Sequence, residues 1–162
     1  MNNKPLIIGI TGVKNSGKTT LMEKLIQTLS ARGLKVASIK HDAHRFIADT
    51  PGTDSFRHKA AGAFASVIFD REKFLLVKDG SFDIPDILPF FNEVDIVLVE
   101  GAKETPYPKI EVLRKGNSKA PITPTNQLIA LMTDTEYQVD GVPSIDINDV
   151  EGAVKIILSI KL

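Results

Sequence analysis

The chain has 162 residues, twenty lysines and arginines balanced by twenty aspartates and glutamates, and no cysteine, which excludes disulfides and thiolate zinc sites. The balanced charge argues against nucleic-acid binding through bulk positive charge, and no stretch reaches the roughly 20 apolar residues that span a membrane. Since the first residues, MNNKP, also lack the layout of a signal peptide, we expect one soluble, cytoplasmic domain over residues 1–162, without nucleic-acid or membrane partners.

The first predicted elements are a strand and a helix joined by a glycine-rich loop. The apolar run LIIGI predicts a buried parallel strand, and TLMEKLIQTLSARG predicts a helix from its apolar spacing and closing glycine. Between them, GVKNSGKTT (residues 12–20) matches the spacing G-x-x-x-x-G-K-[ST]. A glycine-rich turn that binds nothing is the alternative interpretation, but the order of strand, loop and helix favours a phosphate-binding loop.

Each residue type in this loop suits a bound nucleoside triphosphate. Glycines let successive N–H groups turn towards phosphate oxygens, and the following helix adds the positive end of its dipole. Lys18 would reach the outer phosphates, and the Thr19 hydroxyl would bind the Mg²⁺ that bridges them. We therefore predict nucleotide contacts from Gly12, Lys14, Asn15, Ser16, Gly17, Lys18, Thr19 and Thr20.

The second predicted strand, LKVASIKH, is continued by DAHR. At its end the sequence IKHDAHR brings together four cationic or imidazole side chains: Lys40, His41, His44 and Arg45. Two histidines at this spacing are reminiscent of a metal site, but no third ligand of suitable type is near in sequence. We interpret these residues as a cationic lip that receives a second anionic ligand.

A polar loop, DAHRFIADTPGTD, and a short helix, SFRHKAAGA, come next. Turn formation and helix capping alone explain most of this composition. The element order nevertheless predicts that the loop lies beside the phosphates, where proteins with a phosphate-binding loop hold the residues that sense the terminal phosphate. Asp49 is therefore a predicted magnesium ligand or water positioner, while Asp54 and Arg57 belong either to a substrate or partner site or to the helix surface.

The middle of the chain predicts the strand FASVIFD, the extended segment EKFLLVKD, the helical segment FDIPDILPFF and the buried strand VDIVLVEGA. The last strand brings Glu100 to the carboxyl edge of the sheet, where ligands bind in open α/β folds. Two roles are open to Glu100: binding the magnesium ion through a water, or orienting the attacking water. Lys103 and Lys109 follow it, either as cations for a phosphate-bearing substrate or partner, or as scattered solvated lysines.

The remaining segments are KIEVLRK, a proline-rich loop, the strand LIALMTD, a short extended PSIDI and a closing helix, DVEGAVKIILSI. Alternating strands and helices predict an α/β fold with a mostly parallel sheet flanked by helices on both faces. The chain lacks N-K-x-D, a tetrapeptide that reads guanine. Asp134, which ends LIALMTD, either accepts the two N–H groups of a guanine edge or caps a turn.

The segments GITGVKNSGKTTLMEKLI, VASIKHDAH, DTPGTDSFRHKAAGA, DIVLVEGAK and YPKIEV together resemble the MobB family, molybdopterin-guanine dinucleotide biosynthesis protein B, over residues 6 to about 135. The resemblance implies a P-loop NTPase fold, GTP and Mg²⁺ as ligands, weak GTPase activity and a homodimer. It also implies a partner, the guanylyltransferase that attaches GMP to molybdopterin, with molybdopterin itself as a further candidate ligand. GTP is implied at residues 12–20, and roles are implied for Lys40, His41, Asp49, Asp54, Arg57, Glu100 and Lys109.

We assign catalysis to Lys18, Asp49 and Glu100, and magnesium binding to Thr19, Asp49 and Glu100. Because no arginine finger is marked in the sequence, we expect hydrolysis slower by a factor of about 10³ to 10⁵ than in assisted P-loop GTPases. A small-molecule kinase is the alternative function. A kinase would need a lid with several arginines, whereas the five arginines of this chain are scattered.

Overall fold

The computed structural model describes residues 4–41, 49–101 and 103–161, and it confirms the predicted alternation of strands and helices. Short 3₁₀ turns span Leu88–Phe91 and Thr125–Gln127. The strands and α-helices, in chain order, are β1 Leu6–Thr11, α1 Lys18–Ala31, β2 Val36–Lys40, α2 Asp54–Ala60, β3 Ala65–Phe69, β4 Phe74–Lys78, α3 Ile84–Ile87, β5 Ile96–Glu100, β6 Lys109–Leu113, β7 Leu128–Thr133, β8 Ser144–Asp146 and α4 Val150–Lys161.

The chain divides into two compact units, where the sequence predicts one domain. Unit 1 consists of residues 1–41 and 89–162, and unit 2 consists of residues 42–88. The sequence marks neither end of unit 2, because no linker composition separates it from the flanking strands.

Unit 1 contains a six-stranded sheet in the order β2-β5-β1-β6-β7-β8, in which every neighbouring pair is parallel. This confirms the predicted α/β class with a parallel sheet and flanking helices. The strand β1 lies between β5 and β6, and its residue Ile10 is in register with Glu100. The loops that follow these three strands therefore share the carboxyl edge of the sheet, where α/β proteins place their ligands.

The core of unit 1 lies between the sheet and the two long helices, α1 and α4. Alternate residues of the central strands, such as Ile8 and Ile10, pack with Leu25 and Leu29 of α1 and with Ile157 of α4. These side chains are fully buried, and burial of each contributes about 1.5 to 3 kcal/mol. This packing holds α1 and α4 against the sheet.

Unit 2 contains an antiparallel hairpin formed by β3 and β4, together with α2 and α3. The sequence predicts both strands. It does not predict that, within the described ranges, the two strands pair only with each other. The hairpin turn is fixed by Asp70, whose carboxylate accepts hydrogen bonds from the backbone N–H groups of Glu72 and Lys73. These bonds hold the pKa of Asp70 below its ordinary value.

None of the helices within the described ranges combines the length and the apolarity needed to cross a bilayer.

Candidate functional site

The loop between β1 and α1 has a backbone that only certain residues adopt. Its φ angles are positive at Gly12 (136°), Asn15 (62°) and Gly17 (105°). A Cβ atom on Gly12 would lie 2.6 Å from the carbonyl oxygen of Val112, and one on Gly17 would lie 3.0 Å from the Arg114 guanidinium. Gly12 is therefore required by its φ angle and by close approach to the backbone, and Gly17 is required by its φ angle, as the sequence motif predicts.

The first turn of α1 presents uncompensated positive charge to this loop. Gly17 is the N-cap residue and has no side chain that could accept a hydrogen bond, and the first turn contains no acidic residue. The leading N–H groups of the helix and the positive end of its dipole therefore remain for an external anion. The geometry fits a phosphate chain.

The Lys18 side chain lies along the same loop. Its Nζ atom donates a hydrogen bond of 2.7 Å to the carbonyl oxygen of Val13. Burial lowers the pKa of Lys18 below its ordinary value, and the nearby Lys103 and Lys40 lower it further, while Glu100 opposes them. The structure thus brings together three of the predicted cations, Lys18, Lys40 and Lys103. Their mutual repulsion favours binding of an anion among them.

Thr19 and Glu100 are in direct contact. The Thr19 hydroxyl lies 3.0 Å from Oε1 and 3.3 Å from Oε2 of Glu100, a residue only 9% exposed at the end of β5. A hydroxyl and a carboxylate are oxygen ligands of the kind that Mg²⁺ prefers. Two of the three predicted magnesium ligands therefore lie together, and their chemistry fits that ion.

The end of β2 lies against the end of β5. Lys40 is in register with Glu100, and the His41 N–H donates to the Glu100 carbonyl at 2.9 Å. Gly101 has a φ angle of 94°, and a Cβ atom there would lie 2.7 Å from the His41 carbonyl oxygen. Gly101 is therefore required for the close approach of the backbone that follows β2. His44 and Arg45 lie outside the described residues.

Asp49, Asp54 and Arg57 all belong to unit 2. Oδ1 of Asp49 accepts hydrogen bonds from the Thr50 N–H and from the hydroxyls of Thr53 and Ser55, at 2.8 to 3.2 Å. Arg57 makes an exposed ion pair with Asp54, one helical turn away, and such pairs contribute little. These are the contacts of a capped helix start, which the sequence already offered as an explanation of this segment.

Lys109 differs from the loop cation that the sequence predicts. It is the first residue of β6 and is fully buried. Its ammonium donates to the Tyr107 carbonyl at 2.9 Å, to Oε1 of Gln127 at 2.7 Å and to the Thr105 carbonyl. The grouping of Lys109 with exposed cations is therefore wrong, because its three hydrogen bonds are all internal; Lys103 is exposed, as predicted.

Asp134 follows β7 and makes a turn contact. Its Oδ1 atom accepts a hydrogen bond of 2.6 Å from the Lys115 N–H. Of the two roles left open for Asp134 by the sequence, this contact corresponds to the turn. Lys14, Asn15 and Thr20 are exposed on the loop and the first turn of α1, and Ser16 is buried beneath them.

The sequence analysis missed a set of polar residues on and after β6. Glu111 is buried, and its carboxylate accepts the N–H groups of Ile122 and Thr123 at 2.8 Å. Arg114 and Asn117 donate to backbone carbonyls of the glycine-rich loop. The rule that pointed to Glu100, which considers polar residues at the carboxyl ends of strands, applies equally to Arg114 at the end of β6.

Comparison with known proteins gives consistent matches. Residues 7–134 match the family model for molybdopterin guanine dinucleotide synthesis protein B. Two relatives are named molybdopterin-guanine dinucleotide biosynthesis adapter protein. The one from Haemophilus influenzae is 37% identical to this chain, and the match covers 86% of this chain and 81% of the relative. The one from Escherichia coli is 32% identical, and the match covers 90% of this chain and 87% of the relative. The crystal structure of Bacillus subtilis MobB superposes with a TM-score of 0.79 at 30% identity, covering 97% of this chain and 98% of that one.

Proposed function

The chain belongs to the molybdopterin guanine dinucleotide synthesis protein B family, and on this premise we propose that it is an adapter protein in molybdopterin guanine dinucleotide biosynthesis. In this role it binds GTP with Mg²⁺ in the loop of residues 12–20 and hydrolyses it slowly. The contact between Thr19 and Glu100, beside the glycine-shaped loop, is the observation that carries the nucleotide part of this proposal.

The binding chemistry follows from groups already in place. Loop and helix N–H groups bind the phosphates, and Lys18, now hydrogen-bonded to Val13, is close enough to turn towards them. Thr19 and Glu100 hold Mg²⁺, which neutralises charge on the phosphate oxygens when bound. Glu100 would bind the ion through a water, or it would instead orient the attacking water.

Slow hydrolysis is supported by the placement of Arg114, which lies beside the loop in the described part of unit 1. Nε of Arg114 donates a hydrogen bond of 3.0 Å to the Ser16 carbonyl. This side chain therefore supports the loop backbone and is not placed as an arginine finger. No other arginine of the described part of unit 1 lies on the carboxyl edge: Arg32 follows α1 at the opposite end and pairs with Glu151. Since the sequence marks no arginine finger either, we expect turnover far below that of assisted P-loop GTPases.

The partners we propose are a second copy of the chain and the guanylyltransferase that attaches GMP to molybdopterin. The hairpin of unit 2 supports the first, because its apolar side chains are exposed on both faces, as Val67, Ile68 and Phe69 show in succession. The cations Lys40 and Lys103 support an anionic second ligand such as molybdopterin.

Calorimetric titration tests the nucleotide proposal. GTP and ATP are titrated in the presence and absence of Mg²⁺ into wild type, Lys18→Ala and, as a control, Lys155→Ala, which removes an exposed lysine from α4. We expect Mg-dependent GTP binding that Lys18→Ala weakens about a hundredfold, since a hydrogen bond from a charged group contributes about 1.5 to 3 kcal/mol. Lys155→Ala should bind as wild type does.

Three outcomes contradict the proposal. Near wild-type GTP affinity in Lys18→Ala removes the loop assignment, and a preference for ATP favours the small-molecule kinase. A hydrolysis rate above about 1 s⁻¹ for the protein alone contradicts the slow GTPase.

A further inference from the structure

The loop of residues 12–17 is held by side chains that come from a different part of the chain. A turn at residues 114–118 follows β6, and two of its side chains reach across to the loop. Nε of Arg114 donates to the Ser16 carbonyl, and Nδ2 of Asn117 donates to the Lys14 carbonyl, both at 3.0 Å. These contacts link residues about 100 positions apart in sequence.

Each of these bonds fixes the direction of a loop N–H group. A trans peptide is planar, so its N–H points away from its carbonyl oxygen. Holding the Ser16 carbonyl therefore orients the N–H of Gly17, and holding the Lys14 carbonyl orients the N–H of Asn15. Neither N–H donates to an acceptor among the described residues.

The turn that supplies these side chains is itself fixed. The Arg114 carbonyl accepts the N–H groups of Asn117 at 3.1 Å and Ser118 at 3.3 Å. The Lys115 N–H donates to the carboxylate of Asp134, at the end of β7. The turn is thus connected to two strands of the sheet, and it can hold the loop in one conformation.

We infer that Arg114 and Asn117 are positioning residues for phosphate binding: they hold the outward carbonyls of the loop so that its N–H groups converge on the anion. This inference deepens the proposed function and rests on it. Preorganised donors bind an anion more tightly, because the loop loses less conformational freedom when the ligand arrives. Arg114 also places a fixed positive charge beside Gly17.

The inference is tested by comparing how strongly each variant binds nucleotides that carry one, two or three phosphates. Arg114→Ala, Arg114→Lys and Asn117→Ala are titrated with GMP, GDP and GTP, with Lys119→Ala as the control because it removes an exposed cation from the neighbouring segment. We expect each of the first three variants to lose about tenfold in GTP affinity and less for GMP. Lys119→Ala should retain wild-type affinity.

The lysine variant separates positioning from charge. Lysine keeps the positive charge but lacks an Nε–H at the position where Arg114 meets the Ser16 carbonyl. Full rescue of GTP affinity by Arg114→Lys overturns the positioning role, as does an equal loss for GMP and GTP. If Arg114→Ala fails to fold, Asn117→Ala, which alters an exposed side chain, decides alone.

Hydrogen exchange without nucleotide distinguishes failure of this inference from failure of the proposed function. We expect the amides of residues 13–18 to exchange several-fold faster in Asn117→Ala and Arg114→Ala than in wild type, with the strands unchanged. Unchanged exchange in the loop overturns the inference even if GTP binds. Wild type that binds no nucleotide overturns the proposed function, whereas the exchange result still decides whether these side chains hold the loop.

Discussion

Lys109 shows how a single side chain can have a role that its position in a motif does not reveal. It follows a segment with two prolines and is the first residue of the apolar strand β6. Its ammonium donates to two backbone carbonyls and to the side chain of a glutamine. An ammonium is expensive to bury without acceptors, and here it has one for each N–H. Lys109 therefore fastens the segment of residues 103–108, which follows Glu100, to the edge of the sheet.

We expect Lys109→Met to destabilise the fold by about 3 kcal/mol at pH 7, because it removes the ammonium that donates to the Tyr107 carbonyl, the Thr105 carbonyl and the Gln127 side chain. Burial lowers the pKa of Lys109 in the folded state, with Glu104 opposing the shift. Between that value and the ordinary lysine pKa of 10.5, the unfolded chain binds more protons, so this group makes wild type more stable as the pH rises. The variant lacks that contribution.

Urea unfolding at several values between pH 7 and pH 10 measures both effects. The stability difference between wild type and Lys109→Met should grow with pH, and Lys119→Met provides a matched control on an exposed lysine. A difference near zero at pH 7, or one that shrinks as the pH rises, contradicts the role given to the buried ammonium.

At the scale of elements, the sequence predicts what depends on local pattern. The apolar spacing of Leu21, Leu25 and Leu29 predicts α1, and the apolar run before Glu100 predicts β5, because each pattern reflects one buried face or strand. The glycine-rich loop is predicted for the same reason. Its residue types are fixed by a backbone conformation that the structure confirms at Gly12 and Gly17.

What the sequence does not predict depends on contacts between distant segments. The sequence of β3 or of β4 alone does not predict that these two strands pair with each other in a separate hairpin, because each is an ordinary apolar run. The burial of Lys109 depends on carbonyls contributed by loops. The contacts of Arg114 and Asn117 join segments that no local pattern connects.

Strand β6 provides the element-scale prediction, because it carries a buried carboxylate that holds the proline-rich loop. Glu111 accepts the N–H groups of Ile122 and Thr123, and the Thr123 hydroxyl lies 2.7 Å from that of Thr11 in β1. Glu111→Gln keeps the shape but turns an N–H₂ group towards a backbone donor. We expect it to cost about 1 to 3 kcal/mol of unfolding free energy.

Chemical denaturation of Glu111→Gln, with the exposed Glu136→Gln as control, measures that cost. The amides of residues 122 and 123 should also exchange faster in the first variant. Stability equal to that of the control contradicts the view that this carboxylate fastens the loop to the sheet.

At the scale of the whole molecule, the two units differ in what they leave exposed. In unit 1 most of the large apolar side chains are buried in one core, and β5 is buried along its whole length. The hairpin of unit 2 instead exposes large apolar side chains along both strands. Phe69 is 77% exposed and Phe74, its partner in register, is 63% exposed.

Exposed apolar residues and unpaired strand edges in one place are features of an association surface. A second copy is the occupant that we propose, because two identical antiparallel hairpins can meet through the same surface about a two-fold axis. The loop that we propose for nucleotide binding belongs to unit 1, so we expect substitutions in the hairpin to test the dimer separately from nucleotide binding.

We expect the double substitution Phe69→Ser, Phe74→Ser to weaken the dimer at least about a hundredfold, since each phenylalanine contributes about 1.5 to 3 kcal/mol when its ring is buried. Sedimentation velocity over a range of protein concentrations measures the change. Phe90→Ser is the matched control, because Phe90 is an exposed phenylalanine of unit 1, and it should leave the dimer intact. A wild-type chain that sediments as a monomer at about 100 μM contradicts the proposed dimer. Even a weak dimer, with an association free energy of about −5 kcal/mol, is detectable near that concentration. A double variant that dimerises as tightly as Phe90→Ser places the association surface elsewhere than on the hairpin.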